Sequence, residues 1–216
     1  KELGFDPRVE VKGVADLVRL GTMDPKDLAN YELGDFLPRS LVDRKHELIV
    51  AQTGGTLGQP VWTAYLENEF REAFVDPFVI AAKHVGFPTG GTWLYVGPSG
   101  PHIIDRAADA IARSTGSMTP FSVDFDPRWA RKLTSGSFAA KRYLQHIIDQ
   151  ALEVLECQQV TVLFSTPVVV RALAGSMSTE QRERVRGIHY GGMAIESNDM
   201  EKLQNEQFPN AVHLSG

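Results

Sequence analysis

The segment Gln52-Thr53-Gly54-Gly55-Thr56-Leu57-Gly58-Gln59-Pro60 gathers three glycines and two threonines between two strand-like runs. Glycines let main-chain N–H groups close in on an anion, and threonine hydroxyls add donors without adding charge. A polyphosphate cradle needs both, and a Gly-rich hairpin turn accounts for the composition equally well. The two common nucleotide loops do not fit: no Lys follows these glycines in Gly-x4-Gly-Lys-Ser/Thr spacing, and there is no Gly-x-Gly-x-x-Gly.

His102 ends the stretch Gly97-Pro98-Ser99-Gly100-Pro101-His102, after a strand-like run and before a helical one. In an open α/β sheet that placement faces the ligand crevice, where a neutral imidazole orients a carboxylate or closes a pocket; a plain helix-entry residue is the alternative. Ser99 is not in a Gly-x-Ser-x-Gly elbow, and no Ser, His and acid set has a recognisable order, which argues against a hydrolase. His84, His146, His189 and His213 lack the i, i+4 spacing of a helical zinc pair, so no metal site is expected. No catalytic residue can be assigned from spacing. Phe164-Ser165-Thr166-Pro167 reads as a strand-ending turn, and Gly191-Gly192 as a strand-to-helix turn. The stripe Phe70, Phe74, Phe78 reads as core. Arg182, Arg184 and Arg186 alternate with acids and read as a solvated face.

The elements that must position these residues alternate. Strands are expected at Glu47–Ala51, Val61–Tyr65, Thr92–Val96, Phe121–Phe125, Val160–Phe164, Gly187–Tyr190 and Ala211–Leu214. Helical spacing marks Glu67–Val85, with Pro77 expected to kink or interrupt it, then Ile103–Arg113, Arg142–Leu155, Val168–Leu173 and Asn198–Asn205. Two short helical pieces are expected at Val14–Leu20 and Pro25–Leu28. Thr134-Ser135-Gly136-Ser137 has a linker's composition. The pattern predicts an α/β fold with a largely parallel or mixed sheet flanked by helices, as a lead-in over residues 1–46 and an α/β core over 47–216.

The ordered segments together resemble the adenylate-forming superfamily, in particular phenylacetate–coenzyme A ligases and acyl-protein synthetases. Thr53, Gly54, Gly55, Thr56, Gly58 and Pro60 stand in register with the family's Ser/Thr-Ser/Gly-Gly-Thr-Thr-Gly-Lys-Pro loop. Leu57 and Gln59 depart from it, and Gln59 brings no charge where Lys is usual, which implies weaker phosphate binding or slower adenylation. Upstream, Asp16-Leu17-Val18-Arg19-Leu20 and Lys26-Asp27-Leu28 look like the family's lead-in. Downstream, His189-Tyr190-Gly191-Gly192-Met193-Ala194 is similar to its Gly-Gly or Gly-Ala segment.

The resemblance implies a partial N-terminal adenylation domain. Its expected activity is ATP-dependent conversion of a carboxylic acid to an acyl-adenylate, followed by transfer to a thiol such as coenzyme A or a carrier protein. Mg²⁺ would bridge the phosphates. Thr53, Gly54, Gly55, Thr56, Gly58 and Gln59 would hold the phosphates, and His102, Ser165, Gly191, Gly192, Met193 and Ala194 would shape the acyl and nucleotide pocket. The sequence begins at Lys1 and stops at Gly216, where the family runs into a Tyr-Gly-x-Thr-Glu motif. A piece of a longer enzyme, inactive alone, is therefore expected. The alternative from another class is a non-catalytic adenylation-like module that binds a ligand or a partner, and a homodimer is left open.

Composition narrows the remaining classes. At 216 residues and 43% hydrophobic the chain can bury a core. A net charge of −5 gives no general attraction to nucleic acid. No apolar run approaches the roughly 18–20 residues a membrane span requires, and no signal-peptide layout is present. The single Cys157 excludes an internal disulfide framework and reads as a packed core thiol in a cytoplasmic protein.

Overall fold

The computed structural model describes residues 6–22, 24, 31–53, 61–192 and 196–216. From Asp6 to Glu47 the described chain forms one turn of helix, α1 (Pro7–Glu10), and three 3-10 segments, Val14–Leu20, Leu33–Phe36 and Arg39–Glu47; no residue of these 3-10 segments is buried. The lead-in piece expected at Pro25–Leu28 lies outside the described residues.

The first two strands, β1 (Leu48–Gln52) and β2 (Trp62–Leu66), pair antiparallel, with Gln52 opposite Trp62. The other five make a separate, all-parallel sheet: β3 (Trp93–Gly97), β4 (Phe121–Asp124), β5 (Val162–Ser165), β6 (Gly187–Tyr190) and β7 (Val212–Ser215). Their order, β4-β3-β5-β6-β7, reverses direction between β3 and β5. In such sheets the ligand crevice lies outside the carboxyl ends of the strands at the reversal.

Alternation along each strand sorts the core into two layers. On one face Leu94, Val96, Leu163, Ile188 and Tyr190 pack with Ile147, Ile148 and Leu155 of α6 (Phe138–Cys157) and Val170 and Leu173 of α7 (Pro167–Ser176). On the other, Trp93, Tyr95, Val162 and Phe164 pack with Ala107 and Ile111 of α4 (Ile103–Ser114) and with a helical arm over residues 67–85. That arm is α2 (Glu67–Phe70), a π-helical turn (Arg71–Val75) and α3 (Asp76–Val85). Pro77 does not break it. The turn widens so that Asp76 N–H donates to Arg71 O, and Pro77 falls in the first turn of α3, where a missing N–H is tolerated.

Three expectations are corrected. The helix expected to start at Arg142 starts at Phe138, because the Ser137 hydroxyl accepts from Ala140 N–H at 3.2 Å and caps it; Ser137 is a cap and not part of a linker. Arg182 and Arg184 are half-buried and do not mark a solvated face. From α8 (Thr179–Arg184), Arg182 donates to Ala174 O and Met177 O at 3.1 and 2.8 Å, and Arg184 to Leu155 O at 3.0 Å. They satisfy carbonyls left open at the ends of α7 and α6. Cys157 is exposed, since the last turn of α6 carries it past the core that Leu155 still reaches.

Candidate functional site

Nine residues, 53–61, connect β1 to β2, more than the two to five of ordinary hairpins. Thr53 clasps the base of this loop: its N–H donates to Val61 O at 2.9 Å and its Oγ1 accepts from Val61 N–H at 3.0 Å. Among the described residues the hydroxyl hydrogen of Thr53 has no acceptor. Gly54, Gly55, Thr56, Gly58 and Gln59 lie outside the described residues.

The loop's other anchor is Gln52, whose N–H donates to Pro101 O at 2.6 Å while its side-chain oxygen accepts from Arg128 Nη1 at 2.9 Å. Arg128 also donates to Asp126, the cap of α5 (Pro127–Lys132). Burial opposes ionisation of Asp126, but its hydrogen bonds from Arg128 outweigh this and hold its carboxyl below the usual range. This Gln52, Asp126 and Arg128 strap ties the hairpin to the carboxyl end of the parallel sheet. Sequence reading missed it, although Asp126-Pro127 is a legible helix start.

His102 bridges to Gln52 at this junction and precedes α4. It is buried, and its Nε2 has no hydrogen-bond partner among the described residues. Burial, with the nearby Arg128 cation, pushes its pKa down and favours the neutral ring. Ser165 is buried as well; its hydroxyl donates to Val96 O at 2.5 Å and its carbonyl accepts from Gly191 N–H at 3.2 Å, so it ties β3, β5 and the end of β6.

Beside this junction a cavity of about 330 Å³ lies between the helical arm, α4 and the sheet. Ala73, Phe74, Pro77, Phe78 and Ala81 form one wall, Ile104, Ala107 and Ile111 a second, and Phe164, His189 and Leu214 the sheet side. Gly191, Gly192, Ser215 and Gly216 line it at the strand ends. A Cβ at Gly191 would come within 3.0 Å of the Phe164 ring, and Gly192 has φ +78°, so both positions favour glycine. Met193 and Ala194 lie outside the described residues, and neither His102 nor Ser165 lines the cavity. Phe74 and Phe78, expected to be core only, are core and cavity wall at once.

His189 sits between the rings of Phe78 and Phe164, with centroids 4.8 and 4.3 Å away. Its Nδ1 lies 3.2 Å from Leu214 O, and burial pushes its pKa down to about 4. Among the described residues none that lines the cavity carries a charged side chain. Among the described residues no group of three His, Cys, Asp or Glu could hold a metal ion, and no helix is long and apolar enough to cross a membrane.

A scan against protein-family models and a search of curated proteins each found no match. Solved structures do match. An open conformation of 2-hydroxyisobutyryl-CoA ligase in complex with 2-HIB-AMP and CoA is 17% identical, with a TM-score of 0.61 over 99% of this chain and 46% of that one. The same ligase in the thioesterification state, again with 2-HIB-AMP and CoA, gives 18% identity and a TM-score of 0.60 over 99% and 42%. In the postadenylation state with 2-HIB-AMP it gives 19% and 0.57 over the same shares. The chain spans less than half of the length of these structures. At such identity the likeness carries the fold alone, and the expected α/β architecture stands: this chain is folded like part of 2-hydroxyisobutyryl-CoA ligase.

Proposed function

We propose that the protein carrying this chain activates a carboxylic acid with ATP. A carboxylate oxygen attacks the α-phosphorus and pyrophosphate leaves; a thiol, that of coenzyme A or of a carrier protein, then attacks the acyl carbon, forming a thioester as the bond to AMP breaks and AMP and the thiol proton are released. The observation that carries this reading is an apolar cavity reaching the ends of β6 and β7, on a sheet whose carboxyl end is tied through Arg128 and Pro101 to Gln52, the base of the Gly- and Thr-rich stretch. Its support from outside the chain is a fold shared with ligases solved with an acyl-AMP and CoA.

In this reading Thr53, Gly54, Gly55, Thr56, Gly58 and Gln59 hold the phosphates, where donors aimed at the departing pyrophosphate stabilise the charge that builds there. Thr53 fits the role, because its acceptor side is already engaged by Val61 and its hydrogen is left to donate. The acid's apolar body fills the cavity against Phe74, Phe78 and Phe164. Gly191 and Gly192 line its mouth with Ser165 supporting Gly191 from behind, and Met193 and Ala194 belong to the acyl and nucleotide pocket. His102, neutral and buried at the hairpin junction, fixes the loop's base relative to Ile104 in the cavity wall. Mg²⁺ enters this reading as the counter-ion of the phosphates. Residues 1–46 act as a lead-in to a core over 47–216, and the setting is cytoplasmic, where ATP and coenzyme A are at hand.

Pyrophosphate exchange on the full-length protein, with a panel of aryl and aliphatic acids, tests the reading. Acid-dependent exchange is expected; none with any acid leaves a non-catalytic binding module. AMP release that depends on coenzyme A identifies the ligase, whereas release that depends on a protein thiol identifies an acyl-protein synthetase.

Filling the cavity gives a sharper test. Ala81 is half-buried on α3, so Ala81→Phe adds its ring to the cavity at small cost to the core. The displaced part of the acid loses about 1.5–3 kcal/mol of burial, so KM for the acid is expected to rise about tenfold or more. KM for ATP should stay as it is. An equal rise for both substrates would mean that the cavity does not hold the acid.

A further inference from the structure

The β1–β2 hairpin shares no strand ladder with the parallel sheet. Among the described residues, the hydrogen bonds that cross from it to the carboxyl-end segments of that sheet meet at Gln52, one residue before Thr53. Gln52 N–H donates to Pro101 O, in the segment between β3 and α4, at 2.6 Å, and its side-chain oxygen accepts from Arg128 Nη1 at 2.9 Å. One bond alone would leave a pivot. The second, in another direction, removes it.

Arg128 is itself clamped. Its main-chain N–H and its Nε donate to Asp126 Oδ1 at 2.8 and 3.2 Å, and its Nη2 donates to Asp126 Oδ2 at 3.3 Å, so one edge of the guanidinium is held by a carboxylate while Nη1 reaches Gln52. Asp126 is fixed in turn: its N–H donates to Tyr143 Oη of α6 at 3.0 Å, and the preceding Phe125 N–H donates to Gly97 O at the end of β3 at 3.0 Å. The side chains of Arg128 and Asp126 are 26% and 31% exposed, so solvent screens the pair less than it would a surface ion pair. A planar fork of donors suits this double grip, which a lysine ammonium on a flexible stem cannot reproduce. Thr53 follows Gln52 by about 3.3 Å along the strand, so a twist at Gln52 passes directly to its hydroxyl.

Resting on the acid-activating reading above, we propose that Arg128 is a positioning residue of the phosphate site: by holding Gln52 it aims the Thr53 hydroxyl at the phosphates of ATP. The carboxylate of Asp126 offsets the charge of Arg128 at a distance, so the action is geometric.

The test measures KM for ATP and for the acid by pyrophosphate exchange on the full-length protein, and calorimetric binding of magnesium ATP without acid, in the wild type, Arg128→Lys, Gln52→Ala and the double variant. Each single variant is expected to raise KM and Kd for ATP about tenfold, since each loses a hydrogen bond to a charged group, and to leave KM for the acid unchanged. The double variant should lose no more than either single one, because both cut the same link. Gln52→Ala keeps the main-chain bonds of the hairpin, so it decides the matter even if the arginine variant fails to fold. An unchanged KM for ATP in a folded single variant, additive losses in the double variant, or an equal rise of both KM values overturns the positioning role and leaves acid activation standing. ATP binding that weakens in the variants, with no exchange by the wild type, overturns acid activation and upholds the positioning of Thr53. Neither exchange nor ATP binding by the wild type overturns both.

Discussion

Trp93→Ala is expected to lower the unfolding free energy by about 3–5 kcal/mol. Trp93 lies on β3 with no exposed surface, and its ring centroid is 6.1 Å from that of Phe78 and 6.0 Å from that of Phe87. Removing it leaves a void that the rigid strand on one side and the helical arm on the other cannot close. Its Nε1 is buried with no hydrogen-bond partner among the described residues, and an unpaired buried donor costs about 1–3 kcal/mol. Trp93→Phe keeps most of the packing and removes that burden, so it should fall within about 1.5 kcal/mol of the wild type. Urea unfolding followed by circular dichroism measures both. A loss of under about 1 kcal/mol for the alanine variant would contradict this account of the packing. Because Phe78 also walls the cavity, Trp93→Ala should weaken binding of the proposed acid although Trp93 does not line the cavity.

The second large effect is expected in the pH dependence of folding. His189 is held near pKa 4 in the folded chain by burial, against 6.5 for an ordinary histidine. Between those values the unfolded chain binds a proton that the folded chain refuses. The stability from neutral His189 is therefore complete above pH 6.5 and is lost as pH falls toward 4, roughly 3 kcal/mol in all. Burial lowers the pKa of His213 and of His102 too, the latter helped by Arg128, so both add in the same direction. The measurement is the unfolding free energy at pH 7 and at pH 4.5, in the wild type and in His189→Phe. Most of the His189 share should vanish from the difference in the variant. An unchanged difference would show that His189 protonates freely in the folded state.

Much of the architecture was readable because the inner parallel strands, such as Trp93–Gly97 and Val162–Ser165, are short runs buried on both faces. The limits of Gly187–Tyr190 are as expected, and those of the other parallel strands differ by a residue or two. What escaped was decided by single polar side chains. Ser137 turns a flexible-looking stretch into a helix start, and the reciprocal hydrogen bonds of Ser178 and Gln181 open a short helix that apolar spacing does not reveal. Arg182 and Arg184 look like surface charges until the helix ends beneath them are in place.

The candidate site divides in the same way. Gly191 and Gly192 stood out as backbone requirements, and both lie at the cavity. The aromatic wall did not stand out, since a Phe74 that faces a cavity and one that faces a core have the same helical spacing. His189 was passed over among scattered histidines, because nothing local in the sequence shows that Leu214 will fix its tautomer from a strand 25 residues away.

The exposed thiol at the end of α6 has a practical side. Cys157 is the single cysteine of the chain, and its helix covers the sheet face opposite the cavity. A maleimide dye would attach at one defined place, leaving the mouth at Gly191 and Gly192 clear. Fluorescence from that dye could then report tumbling and association of the molecule while the pocket is being titrated.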